Sequence, residues 1–567
     1  MLSNIKNRIL TELKKFDENA SCEFSEHCDL TSTIVFQLAK RQNKNPKNIA
    51  EEIAHKISNS DLKDDVEVKA VNSYLNFYLT NKFYSEILPK IPDFKFEKRE
   101  KIILEHTSIN PSGPIHIGRI RNAIIGDCIG RLLKFCNYET ETHYYVNDMG
   151  KQIAIIALAR QKNLKNDLIE LSDFIKNFVR NDYEILPYYL TGKEYYETSE
   201  KFKSQVDETI RKAESGDKQA INLMKETAKF CLEGQKQALE NLDIKFDKFD
   251  YESEFVENGK VNEVINHLCP DRKDNELAEI NLDDYGIKRE KGNIVIARSD
   301  GTSVYLARDI AYHLYKINLI TSGKGKILNV LGEDHKQEFL ELKTILEKNF
   351  DANINTKIEL NAIFFSFVNF EGKKFSTRKG NIITIDELIN DATEKAMNIM
   401  LEKGIATEGY EDIGIGGIKY ALLKIDPQKQ INFKLEDALN FEGDTACYIQ
   451  YAYARICRII EKSNMSEEEI RKFNVSYQNV DEAELNLTRN LIKFYDIAEK
   501  AGSELKPNII ASYIYSLATL FSKFYDRCPV LNAEEDVKKR RLLLIILTKF
   551  VLKNGLNLLG IKTIERM

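Results

Sequence analysis

Apolar residues recur at Leu2, Ile5, Ile9, Leu13 and Phe16 with polar residues between them, the spacing of one helix face. Further on, VNSYLNFYLT alternates. Leu75, Phe77 and Leu79 form an aliphatic and aromatic inner face, and Tyr74, Asn76 and Tyr78 point the other way. That outer face is an ordinary strand surface or a platform for an unpaired RNA base. Together these patterns predict a small α/β module over residues 1–96, closed by the charged linker IPDFKFEKRE (91–100). KIILE (101–105) then reads as a buried strand. Pro111, Gly113 and Pro114 forbid helix immediately after it, and from Ile117 apolar residues return at 120, 124 and 128. The unit is therefore strand, tight loop, helix. The unpaired N–H groups and partial positive charge at such a helix start suit a phosphate.

Residues 150–290 read as helical and highly charged, with few strand signals. Strand signals return in NIVIA, KILNVLG and NAIFFSFV, each followed by helical or loop patterns. This order predicts an α/β catalytic domain with a Rossmann-like parallel sheet over 97–400, split by a helical insertion at about 155–290. Residues 401–434 are a connecting region. From 435 to 567 the periodicity is helical throughout, an all-α bundle.

Composition narrows the class. The chain has 567 residues, 30% charged and 43% hydrophobic, with net charge −6. This is a globular protein of several domains and not a basic nucleic-acid coat, although a local basic groove remains compatible with it. The longest aliphatic run, Leu542 to Leu547, is far short of a membrane span. The N-terminus mixes charges without an apolar core, so no signal peptide is read. The nine cysteines form no CxxC pair, and Cys22, His27 and Cys28 lack a second half for a zinc site. Reduced thiols in a cytoplasmic protein without a structural metal are expected.

Two stretches carry candidate chemistry. PIHIGR places Pro114, His116, Gly118 and Arg119 at the helix start, where an imidazole can bond phosphate oxygens and a glycine lets a flat base approach. GKKFSTRKGN places Lys374, Ser376, Arg378 and Lys379 among glycines, cations able to close over a triphosphate as pyrophosphate leaves. Either alone is a cap or a solvated loop. In this order and at this separation they resemble the two signatures of class I aminoacyl-tRNA synthetases. LEHTSIN, YYVNDMGKQ, RSDGTSVYLARDIAYH, FEGDTACYIQYAYARI and the ending VLKNGLNLLGIKTIERM resemble the arginyl-tRNA synthetases in particular, from the N-terminal module to Met567.

That resemblance implies that Glu105, Ser108, Asn110, Tyr305 and Asp309 hold arginine. A carboxylate and a flat phenol suit a guanidinium, and Tyr305 and Asp309 share a helix face. Glu105 is a second candidate anion, for the α-amino end. His116, Gly118 and the Lys374–Lys379 loop would hold ATP, accompanied by Mg2+. Gly332, Glu333 and His335 in LGEDHKQ would join them at the end of a later strand. Tyr74 and Asn76 would read the tRNA elbow. Tyr448, Tyr451 and Arg455, on one helix face, would meet the anticodon or pack the bundle. The basic run Lys538-Lys539-Arg540-Arg541 reads as a solvated face. Two departures stand out: Arg119 where the family pattern has His, and Thr377-Arg378 where the class has Lys-Ser. The resemblance further implies a monomer acting on tRNA(Arg). The alternatives are a class I enzyme for another amino acid, a non-catalytic RNA-binding relative and a small-molecule nucleotidyltransferase.

Overall fold

KIILE forms strand β1 (Arg99–Glu105) of the computed structural model, which describes residues 2–25, 28–165, 173–273, 276–287, 292–321, 323–350, 357–370, 383–405, 407–473 and 475–567. β1 is joined by β2 (Tyr138–Val146), β3 (Lys248–Tyr251), β4 (Gly325–Gly332) and β5 (Ile358–Phe365) in one sheet of order β5-β4-β1-β2-β3. All four pairings are parallel. The register sets Leu104 between Leu328 and Thr142, and Glu105 between Asn329 and His143. The chain winds outward from β1 in one direction to β3, then crosses to β4 on the other side. In an open parallel sheet this reversal leaves a crevice at the carboxyl ends of the two strands, here Glu105 and Gly332.

Helix α1 (Ile117–Phe135) follows β1 and buries Ile117, Ile120, Ile124 and Cys128, the stripe its periodicity predicts. It lies so close to the sheet that a Cβ on Gly126 would stand 2.2 Å from Cγ of the buried His106. Only glycine fits there. Gly126→Ala should lower stability by about 1–3 kcal/mol through overpacking, read as a reduced urea midpoint with an unchanged slope.

The helical insertion is built from Asn181–Thr198, Glu200–Glu214 and α2 (Lys218–Asn241). The expected extent of 155–290 is corrected. β3 lies inside it and completes the sheet, and a hairpin of Ala278–Asn281 with Asn293–Ala297 closes it. KFDY is four residues long with two of them charged, too short for a period-two pattern to register. Helices α3 (Tyr305–Asn318) and α4 (Ile385–Glu402) flank the second half of the catalytic domain.

The N-terminal module has a four-stranded antiparallel sheet with Leu75, Phe77 and Leu79 fully or nearly fully buried, as the alternation requires. The segment read as a charged linker is corrected to a docking element. Its polar majority masks two aromatic anchors: Phe94 and Phe96 pack on Tyr495 of the helical bundle at 4.4 and 5.8 Å. Arg489 to Asp29 (3.2 Å) and Arg471 to Asp93 (2.9 Å) bind the same two domains.

The C-terminal bundle begins with α5 (Ala446–Ser463). Its basic run is also corrected. Arg540 and Arg541 both donate through Nε to the buried Glu484, at 2.8 and 2.5 Å. A charge run with its partner 56 residues away in sequence reads as solvated from composition alone. Arg121 of α1 is fully buried and ties the catalytic domain to the connecting region, donating to the carbonyls of Lys429 at 2.9 Å, Asp426 at 3.2 Å and Ser366. Among the described residues no helix is long and apolar enough to cross a membrane.

Candidate active site

The loop leaving β1 is shaped by backbone strain. Thr107 (φ 72°) and Ser108 (φ 42°) lie in the left-handed region, which costs non-glycine residues on the order of 1–3 kcal/mol each and persists only where surroundings enforce it. Here Asn122 accepts the Thr107 N–H at 2.9 Å, and the Tyr144 hydroxyl, 3.0 Å from the Ile109 N–H and 2.8 Å from its carbonyl, clamps the next turn. Gln235 of α2 donates to the carbonyls of Asn110 (3.1 Å) and Gly113 (2.8 Å). The twist points Ser108 inward. Its hydroxyl donates to Glu105 at 3.2 Å and accepts the Tyr145 N–H at 3.1 Å. Asn110 is exposed, and its amide donates to Gln152 at 3.1 Å, so Oδ1 is the end presented as an acceptor.

Pro114 is buried, and His116 stands at the first position before α1. The segment Ile115–Ile117 pairs with Ile383–Ile385: the Ile117 N–H donates to Ile383 O at 3.1 Å, and the Ile385 N–H to Ile115 O at 2.9 Å. The first signature therefore lies beside the chain emerging from the second. Lys374, Ser376, Arg378 and Lys379 themselves lie outside the described residues. Burial, with Arg119 nearby, pushes His116 down to about 4, so at neutral pH its ring is uncharged. Its Nδ1 is shielded from solvent and has no hydrogen-bond partner among the described residues. A Cβ at Gly118 would press on that ring at 3.1 Å. Arg119 is exposed.

At the end of β4, Gly332 reaches the crevice as expected of the strand-order reversal. Its neighbours are already engaged. Glu333 accepts from Ser366 Oγ at 2.8 Å, and His335 Nδ1 lies 2.5 Å from Glu338.

The α3 helix brings Tyr305 and Asp309 to the same crevice, one turn apart. Tyr305 is 57% exposed and its ring is covered by the guanidinium of Arg308, 5.0 Å from the centroid. Arg308 is itself buried and donates to Glu252 at 3.0 Å. Asp309 differs from every other carboxylate around it. Among the described residues no donor meets its side chain. Burial, then the negative charges of Glu252 and Glu105, push it up to about 7 against the pull of Lys316 and Arg308. Glu105, by contrast, is paired with the buried Lys316 at 2.7 Å. Three further polar atoms are shut from solvent without hydrogen-bond partners among the described residues: Tyr145 Oη, Asn147 Oδ1 and Glu252 Oε2. Tyr145 stacks on Tyr312 of α3 at 4.4 Å.

Sequence reading had no hold on Lys316, Asn329, Glu252 or Tyr145. Lys316 follows Asp309 by seven residues, two turns along the same face, and that spacing was the available signal. Glu252 lies 53 residues before Tyr305 and carries none.

The remaining assigned residues lie in the outer domains. Tyr74 is 42% exposed and meets Phe36 edge-on at 5.1 Å, while Asn76 accepts from Thr31 at 3.0 Å. On α5, Arg455 is sandwiched between Tyr451 and the exposed Tyr525, 5.0 Å from each ring, and Tyr448 packs on Tyr515 at 5.6 Å.

Comparison with known proteins identifies the family. A family model described as tRNA synthetases class I (R), catalytic domain, matches residues 84–435. An Arginyl tRNA synthetase N terminal domain model matches 3–79, and a DALR anticodon binding domain model 449–567. The arginine–tRNA ligase of Methanocaldococcus jannaschii is 37% identical over 595 aligned positions, covering 100% of both chains. That of Archaeoglobus fulgidus is 35% identical over 574, covering 99% of this chain and 98% of the relative. The solved arginyl-tRNA synthetase of Thermus thermophilus has the same fold, with TM-score 0.82 at 24% identity and 100% of both chains covered. With a catalytic-domain model matched over residues 84–435 and relatives 35–37% identical along essentially their whole length, the chain belongs to the arginyl-tRNA synthetase family of class I aminoacyl-tRNA synthetases.

Proposed function

We infer that this chain is an arginine–tRNA ligase: it activates L-arginine with ATP to arginyl-adenylate and pyrophosphate, then transfers the arginyl group to the terminal adenosine of tRNA(Arg). The observation that carries the choice of amino acid is the unpartnered, half-buried Asp309 carboxylate beside the exposed Tyr305 ring. A guanidinium has five N–H donors in a fork, and taking it out of water requires acceptors and a counter-charge. Asp309 supplies the fork partner, and the Tyr305 ring covers the plane once Arg308 yields it. Asn110 Oδ1 and Ser108 take the α-amino end. The arginine carboxylate is then left facing the start of α1.

There the neutral His116 can donate to phosphate oxygens without adding charge, and the helix start favours the anion. Gly118 makes room for the base and ribose, with Pro114, Arg119 and Gly332 at the edges of the same cleft. Glu333 and His335 act through their neighbours. Lys374, Ser376, Arg378 and Lys379 would stabilise the charge that develops as pyrophosphate leaves; no covalent enzyme intermediate is needed, because positioning and electrostatics carry the reaction. Mg2+ would accompany the ATP phosphates and offset their charge. No three His, Cys, Asp or Glu side chains among the described residues are grouped to hold a cation. For the RNA, Tyr74 and Asn76 serve the elbow, and Tyr448, Tyr451 and Arg455 the anticodon, with stacking as the physical basis. The family resemblance further assigns it to the cytoplasm as a monomer.

Aminoacylation of total tRNA with each of the twenty amino acids separately tests the function. Charging with arginine alone is expected. Charging with another amino acid, or with none, would overturn it.

A further inference from the structure

Lys316 is a buried ammonium in the crevice whose nearest polar atoms all belong to the protein's own side chains. Its three donors meet Glu105 Oε2 at 2.7 Å, His313 Nε2 at 3.2 Å and Asn329 Oδ1 at 3.4 Å. His313 can accept because its Nδ1–H is committed to the Asp309 carbonyl at 2.8 Å, which leaves Nε2 bare. Asn329 is oriented by the same ring: its Nδ2 lies 3.0 Å from Nε2 and shares that nitrogen's single lone pair with the ammonium. The Tyr312 ring closes the remaining side, 4.3 Å from the ammonium. The lysine is completely buried, and the Glu105 carboxylate at 2.7 Å is its counter-charge. No contact of this group is left for a substrate, so its effect must pass through its neighbours.

We propose that Lys316 is a positioning residue of the arginine site: by neutralising Glu105 and fixing its carboxylate, it leaves Asp309 as the carboxylate that is both ionised and free to meet the guanidinium. The proposal rests on the reading of Asp309 given above. Asp309 is faced by Glu252, Glu105, Lys316, Arg308 and the Tyr145 phenol. Three carboxylates in one low-dielectric crevice cannot all ionise without compensation. Arg308 answers Glu252 at 3.0 Å, with the buried Glu214 on its other side at 3.8 Å, and Lys316 answers Glu105 at 2.7 Å. The third anion, Asp309, is kept for the cation that arrives. Removing Lys316 uncovers the Glu105 charge and makes Asp309 harder to ionise; removing the Glu105 charge does the reverse.

The test is the pH dependence of kcat/KM for arginine in full-length enzyme with tRNA, from pH 5.5 to 9. Lys316→Met should move the acid limb up by about one pH unit, and Glu105→Gln should move it down. Lys316→Arg, which restores the charge, should return the limb toward wild type. Opposite displacement is the signature, because a purely structural loss lowers activity at every pH without moving the limb. If Lys316→Met does not fold, the downward shift in Glu105→Gln decides the matter. An unmoved limb in folded variants, or displacement of both in one direction, would overturn the proposal. Failure of the wild-type enzyme to charge arginine would instead remove the reading on which it stands.

Discussion

Asp309→Asn is expected to cost about 2–5 kcal/mol of transition-state stabilisation for arginine, a loss on the order of 30- to 5,000-fold in kcat/KM, with the KM for ATP nearly unchanged. The substitution keeps the shape and removes the charge that no other residue answers. Citrulline, the uncharged isostere, should be rejected less strongly by the variant, because wild-type rejection comes from leaving a buried anion unpaired. The wild-type profile should fall below about pH 7, where Asp309 is pushed by burial and by Glu252 and Glu105. The variant should lack that limb. Stability should move the other way. A carboxyl whose pKa is raised on folding binds a proton that the unfolded chain has already released, so the native state loses stability as pH rises from about 4 through 7. At pH 8 Asp309→Asn should therefore melt higher than wild type while charging tRNA far more slowly. Arginine kinetics close to wild type would place the guanidinium elsewhere.

Arg180→Met should produce the largest loss of stability. Arg180 is nearly buried and donates to Asp182 at 2.8 and 2.9 Å and to Asp386 at 2.9 and 2.7 Å, with both carboxylates buried. Tyr183 adds bonds to Thr384 at 2.8 Å and Asp386 at 2.9 Å. This cluster ties the helical insertion to the start of α4, where Thr384 and Glu387 form a capping box directly after the second signature. Truncating the cation strands two buried anions, at about 3–5 kcal/mol. Denaturant titration should show a lower midpoint, and adenylate formation should slow because Ile383–Ile385 is the partner of Ile115–Ile117. Neutralising the whole cluster with Asp182→Asn and Asp386→Asn should recover most of the stability. A single variant as stable as wild type would make Arg180 a surface group.

What the sequence by itself determined was local. The stripe Ile117, Ile120, Ile124 and Cys128 made α1 and its buried face, because helix geometry repeats every 3.6 residues whatever surrounds it. Pro111, Gly113 and Pro114 made the loop, and the order of strand and helix signals made a parallel sheet with an interruption. The two signatures and the Tyr305–Asp309 spacing were equally legible, since each is a short run of neighbours. The tertiary structure decided what depends on partners remote in sequence. β3 was missed because four residues acquire strand character only by pairing with β2. Arg540 and Arg541 looked solvated because Glu484 arrives from another helix. Phe94 and Phe96 looked like linker because Tyr495 belongs to the far end of the chain. The division of labour among the carboxylates is the clearest case. Glu105, Glu252 and Asp309 are alike as letters. Lys316 answers the first and Arg308 the second, and only the folded crevice, by bringing those cations within 3.0 Å of their partners, leaves the third without a paired cation among the described residues.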